Sequence, residues 1–201
     1  MMNMKRRFAL VATALMLSTS AWAAKSGDAA PAFALKDSNG KEHSLAQYKG
    51  KTVVLEWLNH GCPYVVKHYS SGNMQKLQKQ YTDKGVVWLS VISSAPGKQG
   101  ASSSEEANKA IEEHKAAPTA VLFDSDGEVG KAYGAKTTPH MFVINPAGKL
   151  AYNGAIDDKP TTELEDVPTA KNYVVAAIDE TMAGKPVKMA SSKPYGCSVK
   201  Y

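Results

Sequence analysis

"TVVLEWLNHGCPYVVKHYS", residues 52–70, decides the fold. Its first part, Thr52 to Leu58, is a nearly continuous apolar run, the composition of a central strand covered on both faces. A helix then starts at Cys62, with Pro63 in its first turn, where a missing N–H costs no hydrogen bond. A strand end feeding a helix start sets the thiol beside unpaired backbone N–H groups and the positive end of the helix dipole. Both favour thiolate over thiol, and cysteines so placed fall in pKa from about 8.5 to roughly 3.5–7.5. The thiolate is the species that attacks a disulfide or a peroxide. This reactive reading expects Cys62 to be open to solvent; the alternative is a buried cysteine acting as a small hydrophobe. No second cysteine follows three residues on, because that position is Val65.

Outward from this stretch the chain alternates strands and helices. "PAFALKDSNGKEHSL" reads as a hairpin turning at Ser38-Asn39-Gly40. Ser70-Ser71-Gly72 interrupts or kinks the helix, which resumes through Met74, Leu77 and Tyr81 on one buried face. "GVVWLSVI" (85–92) is the next core strand, and "SSAPGKQGASS" a flexible loop. "SSEEANKAIEEHKAA" is a helix opened by serines with glutamates three residues on. "TAVLFD" is a strand and "GEVGKAYGA" a short helix ended by Gly134. "HMFVIN" and "KLAYNGAI" are strands joined across Pro146-Ala147-Gly148. "AKNYVVAAIDETMAG" is a last amphipathic helix, and residues 185–201 form a polar tail carrying Cys197. That order describes one α/β domain with a mixed sheet.

The first 23 residues read as a signal peptide. Lys5, Arg6 and Arg7 form a positive start, "FALVATALMLSTS" an apolar core, and Ala21-Trp22-Ala23 a small-x-small cleavage site. The run is too short and wrongly flanked for a membrane anchor. Cleavage after Ala23 leaves 178 of the 201 residues, enough for one domain with a full core. The expected location is the periplasm, or outside the cell, with no membrane span after cleavage. The leader carries three positive charges, so the net charge falls from +5 to +2. No basic cluster interleaved with aromatics remains to suggest nucleic acid. Both arginines, Arg6 and Arg7, lie in the leader, which excludes any mechanism needing a guanidinium fork.

Two cysteines remain, Cys62 and Cys197, in a compartment that favours their oxidation. A permanent Cys62–Cys197 bridge would contribute about 5 kcal/mol by the chain-entropy model. A working pair would instead reduce readily, whereas structural bridges resist the glutathione pool. Both readings stand at this point.

Three stretches carry a family resemblance: "APAFALKDSNGKEHSLAQYKGKTVVLEWLNHGCP", "YGAKTTPHMFVINPAGKLAYNGAIDD" and the terminal "YGCSVKY". The chain resembles the thioredoxin-like superfamily in its peroxiredoxin-like or redoxin branch, among alkyl hydroperoxide reductase and thiol-specific antioxidant relatives, over residues 28–184. The resemblance implies a thioredoxin-like fold, a central mixed β-sheet flanked by helices with an N-terminal β-hairpin. It divides the chain into signal peptide 1–23, thioredoxin-like domain 24–184 and C-terminal tail 185–201. It implies a cis proline at Pro139 facing the nucleophile, with the Thr138 backbone and Pro63 beside an extended substrate; an ordinary trans proline opening a strand is the alternative. Glu56, six residues before Cys62, matches the buried acid that shuttles protons in thioredoxins, unless it points out at a strand edge and does nothing.

The chemistry follows from what is missing. Peroxidatic relatives use P-x-x-x-T-x-x-C plus a distant arginine, but this chain has Leu55 and Asn59 at the proline and threonine positions. Losing the donors that stabilise the leaving oxygen costs orders of magnitude in rate. Thiol–disulfide exchange needs only an activated sulfur, a groove and a resolving sulfur. The expected activity is therefore an exported thiol–disulfide oxidoreductase, with Cys62 attacking and Cys197 resolving. Its partners are exported protein thiols or disulfides, or a small peroxide, with a thiol electron donor and no cofactor. Slow peroxide consumption is one alternative, and a non-catalytic module keeping the groove another. Copper binding is a third, if His60, Cys62, His68, His140 and Met141 converge, since soft sulfur with imidazole suits copper. His43 and His114 read as ordinary surface histidines.

Overall fold

The computed structural model describes residues 23–201. The expected signal peptide, Ala23 apart, lies outside the described residues. Five strands form the central sheet in the order β5-β4-β3-β7-β8. They are β3 (Val53–Trp57), β4 (Val87–Ile92), β5 (Ala120–Phe123), β7 (His140–Ile144) and β8 (Leu150–Gly154). β3, β4 and β5 run parallel, whereas β3–β7 and β7–β8 pair antiparallel, so the sheet is mixed. β1 (Ala34–Lys36) and β2 (Glu42–Ser44) make the expected N-terminal hairpin.

Every residue of β3 and β4 is buried, which is why both read as unbroken apolar runs. Side chains alternate across β3. Val54 and Leu58 face the layer of Val65, Tyr69, Met74, Tyr81, Val174 and Ile178. Val53, Leu55 and Trp57 face the opposite layer with Phe33, Tyr133 and Phe142.

The helices are α1 (Pro63–Ser70), α2 (Asn73–Thr82), α3 (Ser104–His114), α4 (Glu128–Tyr133) and α5 (Tyr173–Met182). Ser70-Ser71-Gly72 separates α1 from α2 because Gly72 takes a left-handed conformation (φ 72°) that ends one helix and opens the next. Ser103 caps α3: its hydroxyl accepts from the Glu106 amide at 3.2 Å while Glu106 accepts from the Ser103 amide at 2.7 Å. Val65 and Tyr69 pin α1 to the sheet, and full burial of a valine-sized side chain contributes roughly 1.5–3 kcal/mol. The helix start, and Cys62 with it, is thereby fixed in place.

The tail departs from its reading as loose and polar. β9 (Cys197–Ser198) pairs antiparallel with β6 (Thr137–Thr138). Val187 and Tyr195 pack on one core layer and Val199 on the other. Tyr201 donates its hydroxyl to the Ala135 carbonyl at 2.8 Å and lies against Gly127 and Gly130, where a Cβ would overlap its ring. The tail is a strap laid across one end of the sheet. His43 is likewise buried, bonded to Asp37 at 2.8 Å and to Tyr48.

Candidate active site

Cys62 is the residue that opens α1, with Pro63 exposed at the first helical position. The Thr138–Pro139 peptide is cis, which settles that proline against the trans alternative. The Cys62 Sγ lies 3.0 Å from the Thr138 carbonyl oxygen, a contact the thiol makes as donor. From the strap, the Cys197 amide donates to the same sulfur at 3.3 Å. The structure thus unites Cys62, Cys197, Thr138 and Pro139, four of the residues expected at the site. Neither cysteine is in a disulfide.

Cys62 is 0 % exposed, contrary to the expectation of an open thiol. The strap is the cause: β9 lies along the strand edge beside Cys62 and covers it. Burial alone pushes the Cys62 thiol up, but hydrogen bonds from the Cys197 side chain and amide, the Val65 amide and the Thr138 side chain outweigh it. The result is a pKa below the ordinary cysteine value. The Thr138 hydroxyl is buried and has no other hydrogen-bond partner, so it is free to face a thiolate. Cys197 moves the opposite way, to about 11, through burial and then through the neighbouring Cys62. Within the pair, Cys62 is thus the more acidic thiol and Cys197 the less acidic.

Glu56 does not point outward. It is 0 % exposed and faces the helix layer, where Tyr69 (2.9 Å), Gln78 (3.1 Å), Trp88 (2.8 Å) and Ser90 (3.1 Å) all donate to its carboxylate. Burial still raises its pKa above the ordinary value, the four donors opposing. Its hydrogen bonds run to these four groups rather than to either sulfur.

The histidines expected to converge on Cys62 have other partners. His60 stacks on His114, ring centroids 4.7 Å apart, so His114 is not an ordinary surface residue. Burial, and then the His114 charge, lower the His60 pKa to about 4. His140 accepts from the Lys136 amide at 3.2 Å. His68 bonds to Asn73 at 2.9 Å and to Tyr195 at 3.2 Å. Among the described residues no three His, Cys, Asp or Glu side chains group to hold a metal.

One part of the site, Tyr195, escaped the sequence reading, and another, Asn59, reads in the sequence only as flanking the thiol. Asn59, at the threonine position of peroxidatic relatives, is buried and braces the turn: its side chain accepts from the Gly61 amide at 2.9 Å and bonds to Gln99 at 3.3 Å. Tyr195, two residues before Cys197, donates to Asp157 at 2.6 Å. The signal for it was present, because "YGCSVKY" alternates apolar and polar residues in strand fashion.

A cysteine at a helix start, facing a cis-proline loop beside a mixed five-stranded sheet, defines a protein of the thioredoxin-like superfamily. The family model described as Redoxin matches residues 25–174, and the chain belongs to that family. It is similar to the thiol-disulfide oxidoreductase ResA of Bacillus subtilis, 30% identical over 124 residues, 62% of this chain and 64% of ResA. The match therefore spans somewhat less than two thirds of that relative's length. Among solved structures, it is similar to an uncharacterized conserved protein from Geobacillus kaustophilus (29% identity, TM-score 0.72, 88% of this chain and 92% of that one). It is also similar to a putative thiol:disulfide interchange protein DsbE from Chlorobium tepidum (27% identity, TM-score 0.53, 65% of this chain and 85% of that one).

Proposed function

We propose that this protein is an exported thiol–disulfide oxidoreductase in which Cys62 attacks and Cys197 resolves. The observation that carries this reading is the meeting of the two cysteines at the cis-proline loop: the Cys197 amide lies 3.3 Å from the Cys62 sulfur, and the surroundings shift the Cys62 thiol below its ordinary pKa and Cys197 up to about 11. An attacking sulfur needs to be a thiolate, and a resolving sulfur needs to wait as a thiol. The Redoxin family membership and the likeness to ResA support the same chemistry.

The Cys62 thiolate attacks one sulfur of a partner disulfide, and the other partner sulfur leaves with the electron pair. The mixed disulfide is then attacked by Cys197, which gives up its proton as the partner thiol departs. The enzyme ends with a Cys62–Cys197 disulfide, two electrons poorer, and a thiol donor restores it. Glu56 is a candidate proton acceptor for the resolving step, its raised pKa bringing it towards the working range. Pro63, Thr138 and Pro139 line the partner's path.

Export rests on the leader pattern of residues 1–23, and the periplasm is the compartment it implies. Among the described residues no helix is long and apolar enough to cross a membrane. The test is a Cys197→Ser variant offered a disulfide-bonded protein. It should accumulate a mixed disulfide that Cys62→Ser cannot form, and absence of any adduct would overturn the assignment.

A further inference from the structure

The strap reaches Cys62 through three consecutive residues, each held differently. Cys197 meets the sulfur. Gly196 passes the cis-proline loop with φ 135°, so close that a Cβ would overlap the Thr138 carbonyl oxygen and lie 2.7 Å from its carbon. Tyr195 enters a pocket lined by buried polar groups. Asp157, 2 % exposed, accepts from its hydroxyl at 2.6 Å, and His68, 0 % exposed, lies 3.2 Å from the same oxygen. The Tyr64 ring packs beside it at 5.7 Å, and the buried Lys67 ammonium stands 5.9 Å from its centroid.

The pocket is built independently of the strap. Asn73 orients His68 from its other ring nitrogen at 2.9 Å. The Lys159 amide fixes Asp157 at 3.0 Å, and Lys67 anchors that loop through the Lys159 carbonyl at 2.9 Å. A pocket with a fixed acceptor rewards a phenolic hydroxyl and penalises its absence, because the buried acceptor then loses a partner.

We propose that this pocket is a tyrosine subsite of a peptide groove, that the strap is its resident ligand, and that the groove's external substrates are extended disulfide-bearing segments of the form aromatic hydroxyl–glycine–cysteine. This rests on the thiol–disulfide exchange assigned above and adds the substrate class. A substrate takes the strap's place along Thr137–Thr138 and sets its own cysteine over Cys62. The Cys62–substrate sulfur bond forms as the substrate's disulfide breaks, its other sulfur leaving as thiolate. Return of the strap then does two things in one motion: Cys197 displaces the substrate sulfur, which leaves with a proton, and Tyr195 reclaims the pocket.

The test uses the full chain carrying Tyr195→Ala, which empties the pocket and keeps both cysteines. The probe is a peptide of the sequence 193–201 whose cysteine is capped as a mixed disulfide with 2-nitro-5-thiobenzoate, together with versions in which the tyrosine matching Tyr195 is phenylalanine or alanine, the one matching Tyr201 being kept. The enzyme is reduced beforehand and freed of reductant, so each molecule turns over once to its Cys62–Cys197 disulfide. Single-turnover release of the coloured thiolate against peptide concentration gives an apparent KM and a limiting rate, and reaction with free glutathione checks that the three peptides are equally reactive. The phenylalanine peptide should show an apparent KM about tenfold above the tyrosine peptide, the loss of one hydrogen bond to a buried acceptor, and the alanine peptide, which also loses the ring, a higher one still. Adding Asp157→Asn should erase most of the difference between tyrosine and phenylalanine. Equal KM for all three peptides, with release proceeding, overturns the subsite. No release from any peptide overturns the oxidoreductase reading itself. If Tyr195→Ala does not fold, Tyr195→Phe is put through the same comparison with the same outcomes.

Discussion

Replacing Gly196 with alanine should open the site without touching either sulfur. The new Cβ would overlap the Thr138 carbonyl, a backbone group that cannot swing aside, and φ 135° is a conformation side-chain-bearing residues rarely adopt. Strain of this kind costs about 1–3 kcal/mol per residue. The strap can relieve it by lifting off its two-residue pairing with Thr137 and Thr138. Taking about 2 kcal/mol, the balance between closed and open strap shifts about 30-fold towards open. Cys62 is 0 % exposed when the strap is down, so its alkylation requires the open state. The assay compares iodoacetamide reaction rates of Gly196→Ala and its parent, both carrying Cys197→Ser so that Cys62 is the one remaining thiol. Plateau rates at high pH keep the thiolate fraction equal. An increase of roughly 30-fold is expected. An unchanged rate would show that the strap does not control access, and the reasoning from Gly196 would fail.

Other perturbations test other parts of the site. In the wild-type chain the alkylation of Cys62 should reach half its plateau below the usual pH of about 8.5, while Cys197 should resist until the pH nears about 11. Peptide mapping across a pH series resolves the two, and reversed order contradicts the assigned roles. Glu56→Ala should lower unfolding free energy by at least about 3 kcal/mol in urea, since four buried donors lose their acceptor. Glu56→Gln tests ionisation instead. Because burial raises the folded-state pKa, the native protein holds this proton more tightly than the unfolded chain. Its contribution is whole below the unfolded value of about 4.3 and declines as pH climbs through the folded value. The stability gap should therefore move in favour of Glu56→Gln across that rise, and a pH-independent gap would refute the shift.

The sheet and its helices were legible because their signals are local. "VVLEWL" and "GVVWLSVI" are apolar throughout since both faces of those strands are covered. Ser38-Asn39-Gly40, Pro63 and Gly134 each mark an element boundary by their own backbone preferences. The place of Cys62 was legible for the same reason: it opens the helix that Pro63 marks at the strand–helix junction. What the sequence hid depends on contacts over long separations. Cys62 looked exposed because the residues covering it lie 135 positions later. A polar composition concealed the strap, although its alternation of Tyr195, Cys197, Val199 and Tyr201 is a strand pattern in seven residues. His68 and Asp157 carried no local sign of acting together; they lie 89 positions apart in sequence and approach to 4.0 Å in the fold. Glu56 was ambiguous until its face of β3 was known, since period two alone does not say which face meets the helices.

The proposed exchange requires that Cys62 and Cys197 trade electrons rather than merely staple the strap. The direct measurement is the midpoint potential of the pair, from equilibrium with defined ratios of reduced and oxidised glutathione or dithiothreitol, read by thiol trapping. A cycling pair should show a single two-electron transition above about −300 mV. A midpoint below that value, in the range of structural bridges, would make the disulfide a staple and contradict the account.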